Sequence, residues 1–160
     1  IQERAQELSA LTEETVHTLQ ITAEQKGQTL IADIAPGITL EGDSGKLMQI
    51  FYNLTDNAIK YTPENGHIAV RLAQSGANVL FAVTDDGIGI PEEDQKHIFE
   101  RFYRVDKARS RATGGTGLGL SIVRQLAAMH GGTVSVSSQP GQGATFTVTL
   151  PMDAKRGEKA

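Results

Sequence analysis

There is no cysteine in the 160 residues, so disulfides, thiolate metal sites and cysteine nucleophiles are all excluded. No apolar run approaches the ~18 residues of a membrane-spanning helix, and no signal peptide is visible. The four histidines, at 17, 67, 97 and 130, lack metal-ligand spacing. A G-x-x-x-x-G-K-[ST] phosphate loop is missing, and so is any acid-rich calcium loop. Positive charge is not in excess either: a net charge of −4 argues against a nucleic-acid binder. What is present, 39% apolar and 21% charged, suits one globular domain able to bury a single core without staples.

Residues 1–8 read either as the end of a longer helix or as a short edge strand, and the start at Ile1 suggests a fragment of a longer protein. They are set apart as a leader, with one domain expected over 9–151 and a disordered, charged tail over 152–160. Ser9 is the expected N-cap of a helix over about 10–26, with Leu11, Thr15, Leu19 and Ala23 on one face and Gly27 as its stop. Thr29–Ile34 reads as a strand. Asp43 should cap a second helix running to about Tyr61, where Thr62-Pro63 ends it. Two strands, about His67–Ala73 and Val79–Thr84, form a hairpin through Ser75-Gly76-Ala77-Asn78. A short helix over Glu92–Phe99 should follow Pro91. A helix marked by Leu118, Ile122, Leu126 and Met129 ends at Gly131-Gly132, and a final hairpin joins Thr133–Ser137 to Ala144–Leu150.

The candidate site lies in three places. On the second helix, Leu47, Phe51, Leu54 and Ala58 form the core stripe, while Asn53, Asn57 and Lys60 recur at i, i+4 and i+7 on a polar stripe beside it. A solvated helix face explains that stripe blandly. A Mg²⁺ and phosphate site explains it sharply, because amide oxygens suit a hard cation and a lysine suits a phosphate. The second place is Asp85-Asp86-Gly87-Ile88-Gly89-Ile90-Pro91, delivered by a strand; the third is Gly114-Gly115-Thr116-Gly117-Leu118-Gly119-Leu120. Between them runs a basic segment with Phe99-Glu100-Arg101-Phe102-Tyr103-Arg104. Two glycine turns flanking a charged loop suit a backbone that approaches a polyphosphate and covers it with a lid. His17, on the first helix, is a catalytic candidate by type alone; a packed or solvent-facing role is the favoured reading.

Each element is weak alone, but Asn-x-x-x-Asn-x-x-Lys, Asp-x-Gly-x-Gly and Gly-x-Gly-Leu-Gly-Leu in this order resemble the catalytic, ATP-binding domain of sensor histidine kinases. The wider superfamily includes gyrase, Hsp90 and MutL. The resemblance implies an α+β fold: a two-layer α/β sandwich whose mixed, mostly antiparallel sheet carries three helices on one face, the Bergerat-type ATP-binding fold. It further implies that Asp85 accepts from the adenine amino group, that Gly87, Gly89 and Ile90 line the base, and that Asn53 is the Mg²⁺ ligand with Asn57 beside it. Lys60 and Arg104 would meet phosphates, and Tyr61 would pack near the sugar or α-phosphate. Gly115, Thr116, Gly117, Leu118 and Gly119 would offer backbone N–H groups to the phosphates. Phe99 and Phe102 would anchor the lid. Thr145 would sit on the pocket floor or merely pack in its strand. Asn57, Lys60 and Arg104 are the residues implied in catalysis.

The implied activity is ATP-dependent histidine phosphorylation in two-component signalling. The implied partners are a histidine-bearing dimerisation domain of the same protein and a response regulator. No nucleic acid is expected, and no direct membrane contact by this domain. The implied location is the cytoplasmic side of a membrane-anchored bacterial sensor. The family's phosphoacceptor segment is absent from these residues, and His17 lacks its context. Another ATPase or serine kinase of the superfamily, or a nucleotide-sensing module without catalysis, are the alternatives.

Overall fold

Strict alternation builds the centre of the sheet. In β5 (Asn78–Asp85) Val79, Phe81, Val83 and Asp85 are buried, while Leu80, Ala82 and Thr84 face the other side. Strand β7 (Ala144–Pro151) alternates likewise from end to end. A strand buried on one face only belongs to a sheet covered on one side. The computed structural model describes residues 4–100, 119–139 and 141–152. Its five-stranded sheet runs β2 (Thr29–Ile34), β4 (His67–Ser75), β5, β7, β6 (Thr133–Ser138). Only the β2–β4 pair is parallel, so the sheet is mixed and mostly antiparallel. A separate two-stranded ribbon pairs β1 (Arg4–Glu7) with β3 (Thr39–Gly42).

Three long helices cover the sheet: α1 (Leu8–Gln25), α2 (Ser44–Tyr61) and α4 (Gly119–Met129). Leu19 and Ala23 of α1, Leu47, Phe51 and Leu54 of α2, and Val123 and Ala127 of α4 join the strands' inward residues in one core. Phe51 stacks on Phe81 with ring centroids 4.3 Å apart, which fixes how α2 is rotated over β5. Asp43 caps α2 as expected, its carboxylate accepting from the Lys46 N–H at 3.0 Å. That bond holds the Asp43 carboxyl below its usual range.

Several expectations shift. Of the two readings of residues 1–8 the structure shows the strand, Arg4–Glu7 paired with β3, and α1 already starts at Leu8. Ser9 is not the cap: it is buried, its Oγ donating to the Ala35 carbonyl (2.6 Å) and accepting from the Ile38 N–H (3.1 Å). Strand β3 escaped the reading because its signal is four residues long and its partner is the chain's own beginning. The short helix α3 covers only Glu92–Gln95. In α4 the buried stripe is Val123, Leu126 and Ala127, while Met129 is 47% exposed. The tail from residue 153, and the segment 101–118, lie outside the described residues.

The sheet face away from the described helices carries a shallow concavity of about 680 Å³, with Ile31, Arg71, Leu80, Ala82 and Thr145 among its lining. No helix among the described residues is long and apolar enough to cross a membrane. Replacing Phe81 with Ala should lower unfolding stability by about 3–5 kcal/mol, the scale for a large aromatic lost from a packed core. Urea unfolding measures this, and a loss below about 1 kcal/mol would contradict the packing described.

Candidate functional site

Strand β5 ends on a carboxylate that faces inward. Asp85 is 8% exposed, and its burial pushes its pKa up. Its Oδ1 accepts from the Gly87 N–H at 2.9 Å, and the Ala144 backbone also favours the charged form. None of the ion pairs among the described residues involves it. The charge that acts on it is Asp86, another carboxylate, which raises the pKa further. A buried acceptor without a cation partner is suited to a neutral N–H or NH₂ donor.

Asp86 has the opposite environment because the strand's alternation turns it outward. Its Oδ1 accepts from the His67 N–H (2.8 Å) and its Oδ2 pairs with His67 Nδ1 (2.9 Å). The His67 N–H bond is the larger reason that the Asp86 carboxyl lies below its usual range. A lowered carboxyl stabilises the fold above the ordinary carboxylate range and loses that contribution as pH falls through its folded pKa. Sequence reasoning gave Asp86 no role; the structure gives it the task of tying the start of β4 to this turn.

The glycines serve the protein's own backbone first. A Cβ on Gly87 would lie 2.6 Å from the Tyr61 carbonyl oxygen and 3.2 Å from the Thr62 Cα, so this turn packs directly on the end of α2. A Cβ on Gly143, whose φ is +82°, would lie 1.9 Å from the Asp85 carbonyl oxygen. Gly89 takes a φ of 74°. Gly143 was missed in the sequence; its only signal was one glycine among three turn-like residues of the last hairpin.

Close packing of Gly87 on Tyr61 and Thr62 brings the end of the polar stripe to the carboxylate. Tyr61, Lys60, Asn57 and Asn53 are all half-buried. Helical rise puts Asn57 and Asn53 about 6 and about 12 Å back along the axis from Tyr61. Lys60 Nζ rests on Asp56 Oδ2 at 3.2 Å, an i, i+4 surface pair weak enough to yield to another anion. The Thr62 Oγ1 is buried and has no partner among the described residues.

Ile90 is half-buried, with its N–H donated to Ser138 and its carbonyl accepting from Gln95. Gly119 opens α4 and is exposed. Arg104, Gly115, Thr116, Gly117, Leu118 and Phe102 lie outside the described residues. Phe99 goes into the core, edge-on to Phe146 at 6.1 Å. Thr145 belongs to the other face of the sheet. It sits opposite Thr84, their hydroxyls 3.0 Å apart, and lines the shallow concavity there. The period of two in β7 places buried Ala144, not Thr145, beside Asp85.

A family model described as "Histidine kinase-, DNA gyrase B-, and HSP90-like ATPase" matches residues 42–154, and the chain belongs to that family. Membership implies ATP binding. The chain is 44% identical over 147 residues to the sensor-like histidine kinase SenX3 of Mycolicibacterium smegmatis, covering 92% of this chain but 38% of that protein. It thus spans less than two fifths of that relative. Among solved structures, the nucleotide-free catalytic domain of histidine kinase ThkA superposes with a TM-score of 0.86 at 26% identity, covering 98% of this chain and 99% of that one. Full-length ShkA in complex with AMPPNP matches at 33% identity and a TM-score of 0.81, over 94% of this chain and 31% of ShkA. These likenesses carry the α+β fold with its mixed five-stranded sheet.

The raised pKa of Asp85 has a consequence for stability. A carboxyl whose folded pKa is raised stabilises the fold when protonated, and that contribution is lost as pH rises through the folded pKa. Asp85→Asn, which keeps an oxygen for the Gly87 N–H, should therefore raise the melting temperature of the ligand-free chain at pH 7. The gain should shrink toward zero as pH falls below the ordinary carboxylate range. Thermal melts across pH check it; a loss at neutral pH that fades as pH falls would show that Asp85 is held by a charge partner instead.

Proposed function

We propose that this chain is the ATP-binding catalytic domain of a two-component sensor histidine kinase. In this reading it turns the γ-phosphate of ATP toward a histidine on a separate dimerisation domain, with a response regulator as the later acceptor. The observation that carries it is Asp85: a buried carboxylate with no cation partner among the described residues, at the end of a central strand and against the end of the helix that bears Asn53, Asn57 and Lys60. ShkA's complex with AMPPNP and the similarity to SenX3 support the same reading. The parent protein would be a membrane-anchored bacterial sensor with this domain on the cytoplasmic side.

Asp85 would accept from the adenine amino group, a bond to a charged acceptor worth about 1.5–3 kcal/mol. The chemistry of the α2 stripe fits a hard cation: Asn53 would hold Mg²⁺ with Asn57 beside it, and the bound ion would shield phosphate charge. Tyr61 would pack against the sugar or α-phosphate. Lys60, released from Asp56, would place its ammonium on the phosphates, and Arg104 would meet the γ-phosphate. Gly115, Thr116, Gly117, Leu118 and Gly119 would supply N–H donors ahead of α4. Catalysis by such a site is positioning and electrostatics, since the nucleophile comes from another domain.

Two measurements test it. Asp85→Asn should weaken binding of AMPPNP about tenfold or more by calorimetry, the size of one lost hydrogen bond to a charged group. Near-normal affinity would overturn the adenine assignment. Asn57→Asp should lower phosphotransfer to a supplied histidine-bearing dimerisation domain, and unchanged transfer would remove Asn57 from the catalytic set.

A further inference from the structure

The turn that follows Asp85 is not held by β5 alone. The Ile90 N–H donates to the Ser138 Oγ at 2.8 Å, and the same hydroxyl donates onward to the Gly143 carbonyl at 2.6 Å. The Gly141 N–H donates to the Ile88 carbonyl at 2.7 Å. Gln95, from α3, closes the arrangement: its Nε2 donates to the Ile90 carbonyl (2.8 Å) and to the Ser138 carbonyl (2.9 Å). Gly143, in turn, lies flat against the Asp85 carbonyl, with no room for a side chain.

One hydroxyl therefore stands between two backbone groups that bracket the carboxylate. On one side is Ile90, five residues after Asp85; on the other is Gly143, which packs on Asp85 itself. The Ser138 side chain is half-buried, and removing it takes a hydrogen-bond partner from both the Ile90 N–H and the Gly143 carbonyl. Alanine at this position removes both bonds at once, and the Ile88–Ile90 side of the turn then keeps the Gly141 and Gln95 bonds among the described residues, while Asp86 stays tied to His67.

We propose that Ser138 is a positioning residue of the nucleotide site: through the Ile90 N–H and the Gly143 carbonyl it holds the Asp85–Ile90 turn at the angle that aims the Asp85 carboxylate at the base. Gln95 braces the same turn from the side. This role rests on the adenine reading of Asp85. A serine that merely capped the end of β6 would affect stability without affecting how the carboxylate meets a ligand.

The test uses the whole 160-residue chain. Ser138→Ala should weaken AMPPNP binding by about five- to tenfold, as expected for one or two lost hydrogen bonds. Ser138→Thr, which keeps the hydroxyl, should stay within about twofold of wild type. Amide exchange at Ile90 in the ligand-free chain should accelerate about tenfold in Ser138→Ala. Because the effect runs through Asp85, the Asp85→Asn, Ser138→Ala double variant should bind within about twofold of Asp85→Asn alone. Wild-type affinity in Ser138→Ala, unchanged Ile90 exchange, or fully additive losses in the double variant would each overturn the role. Should Ser138→Ala fail to fold, Gln95→Ala carries the same expectation for Ile90 exchange and affinity, and normal values there overturn it. A wild-type chain that does not bind AMPPNP removes the functional reading and this role together; wild-type binding with an unaffected Ser138→Ala removes this role alone.

Discussion

A carboxylate withdrawn from water without a positive partner is expensive for a fold, and the architecture around Asp85 is arranged to hold one there. Burial raises its pKa, and among the described residues the compensation comes from backbone N–H groups at Gly87 and Ala144, not from a side-chain cation. Backbone donors stay in place only if the elements carrying them do. Strand β5 lies between β4 and β7, paired over its length on both sides, so its end is not free to fray. The contrast with Asp86 shows how local the control is. One residue further on, the side chain turns outward, finds the His67 N–H, and has its pKa lowered instead.

Helix α2 joins that carboxylate to the rest of the candidate site by having two faces. Its core face is fixed against β5 by the Phe51–Phe81 stack, so the Asn53, Asn57 and Lys60 edge cannot rotate independently of Asp85. Its C-terminal carbonyls are held from outside. Lys26 Nζ donates to the carbonyls of Ile59 (2.7 Å) and Lys60 (3.0 Å), and Gln28 Nε2 donates to those of Ile59 (2.9 Å) and Thr62 (2.5 Å). A cation at a helix C-terminus is favourable by about 0.3–1 kcal/mol, and here it also anchors the end that meets Gly87. The segment after α1 thus steadies the site without entering it.

What could be read from the sequence was whatever repeats with the period of its element. The Leu47, Phe51, Leu54 and Ala58 stripe of α2, the Asp43 cap, the β4–β5 hairpin and the final hairpin all carry signals within a few residues of themselves. The ribbon of β1 and β3 does not, since its two halves are more than thirty residues apart and each is only four residues long. The same distinction holds in the site. Asp85 and the α2 stripe are local patterns. The Ser138 bond to Ile90, the Gln95 bond to Ser138 and the packing of Gly143 on Asp85 join residues far apart in the chain, and no spacing within either segment announces them. For Thr145 the sequence left pocket floor and strand packing open, and strand alternation puts it opposite Thr84 with Ala144 beside Asp85.

Glycine-rich turns near a nucleotide are readily explained by the ligand's need for close approach, yet here two of them are required before any ligand arrives. Gly87 is forced by the Tyr61 carbonyl and Gly143 by the Asp85 carbonyl, both protein atoms. An alanine at either would push α2 or β7 away from the end of β5, and the carboxylate would lose its backbone donors together with its fixed direction. The glycine pattern therefore encodes the seating of the charge at least as much as access for the base. Under the proposed function, binding and folding would draw on the same contacts: a ligand donor would satisfy an acceptor whose burial the protein has already accepted, in a place from which that burial has excluded water.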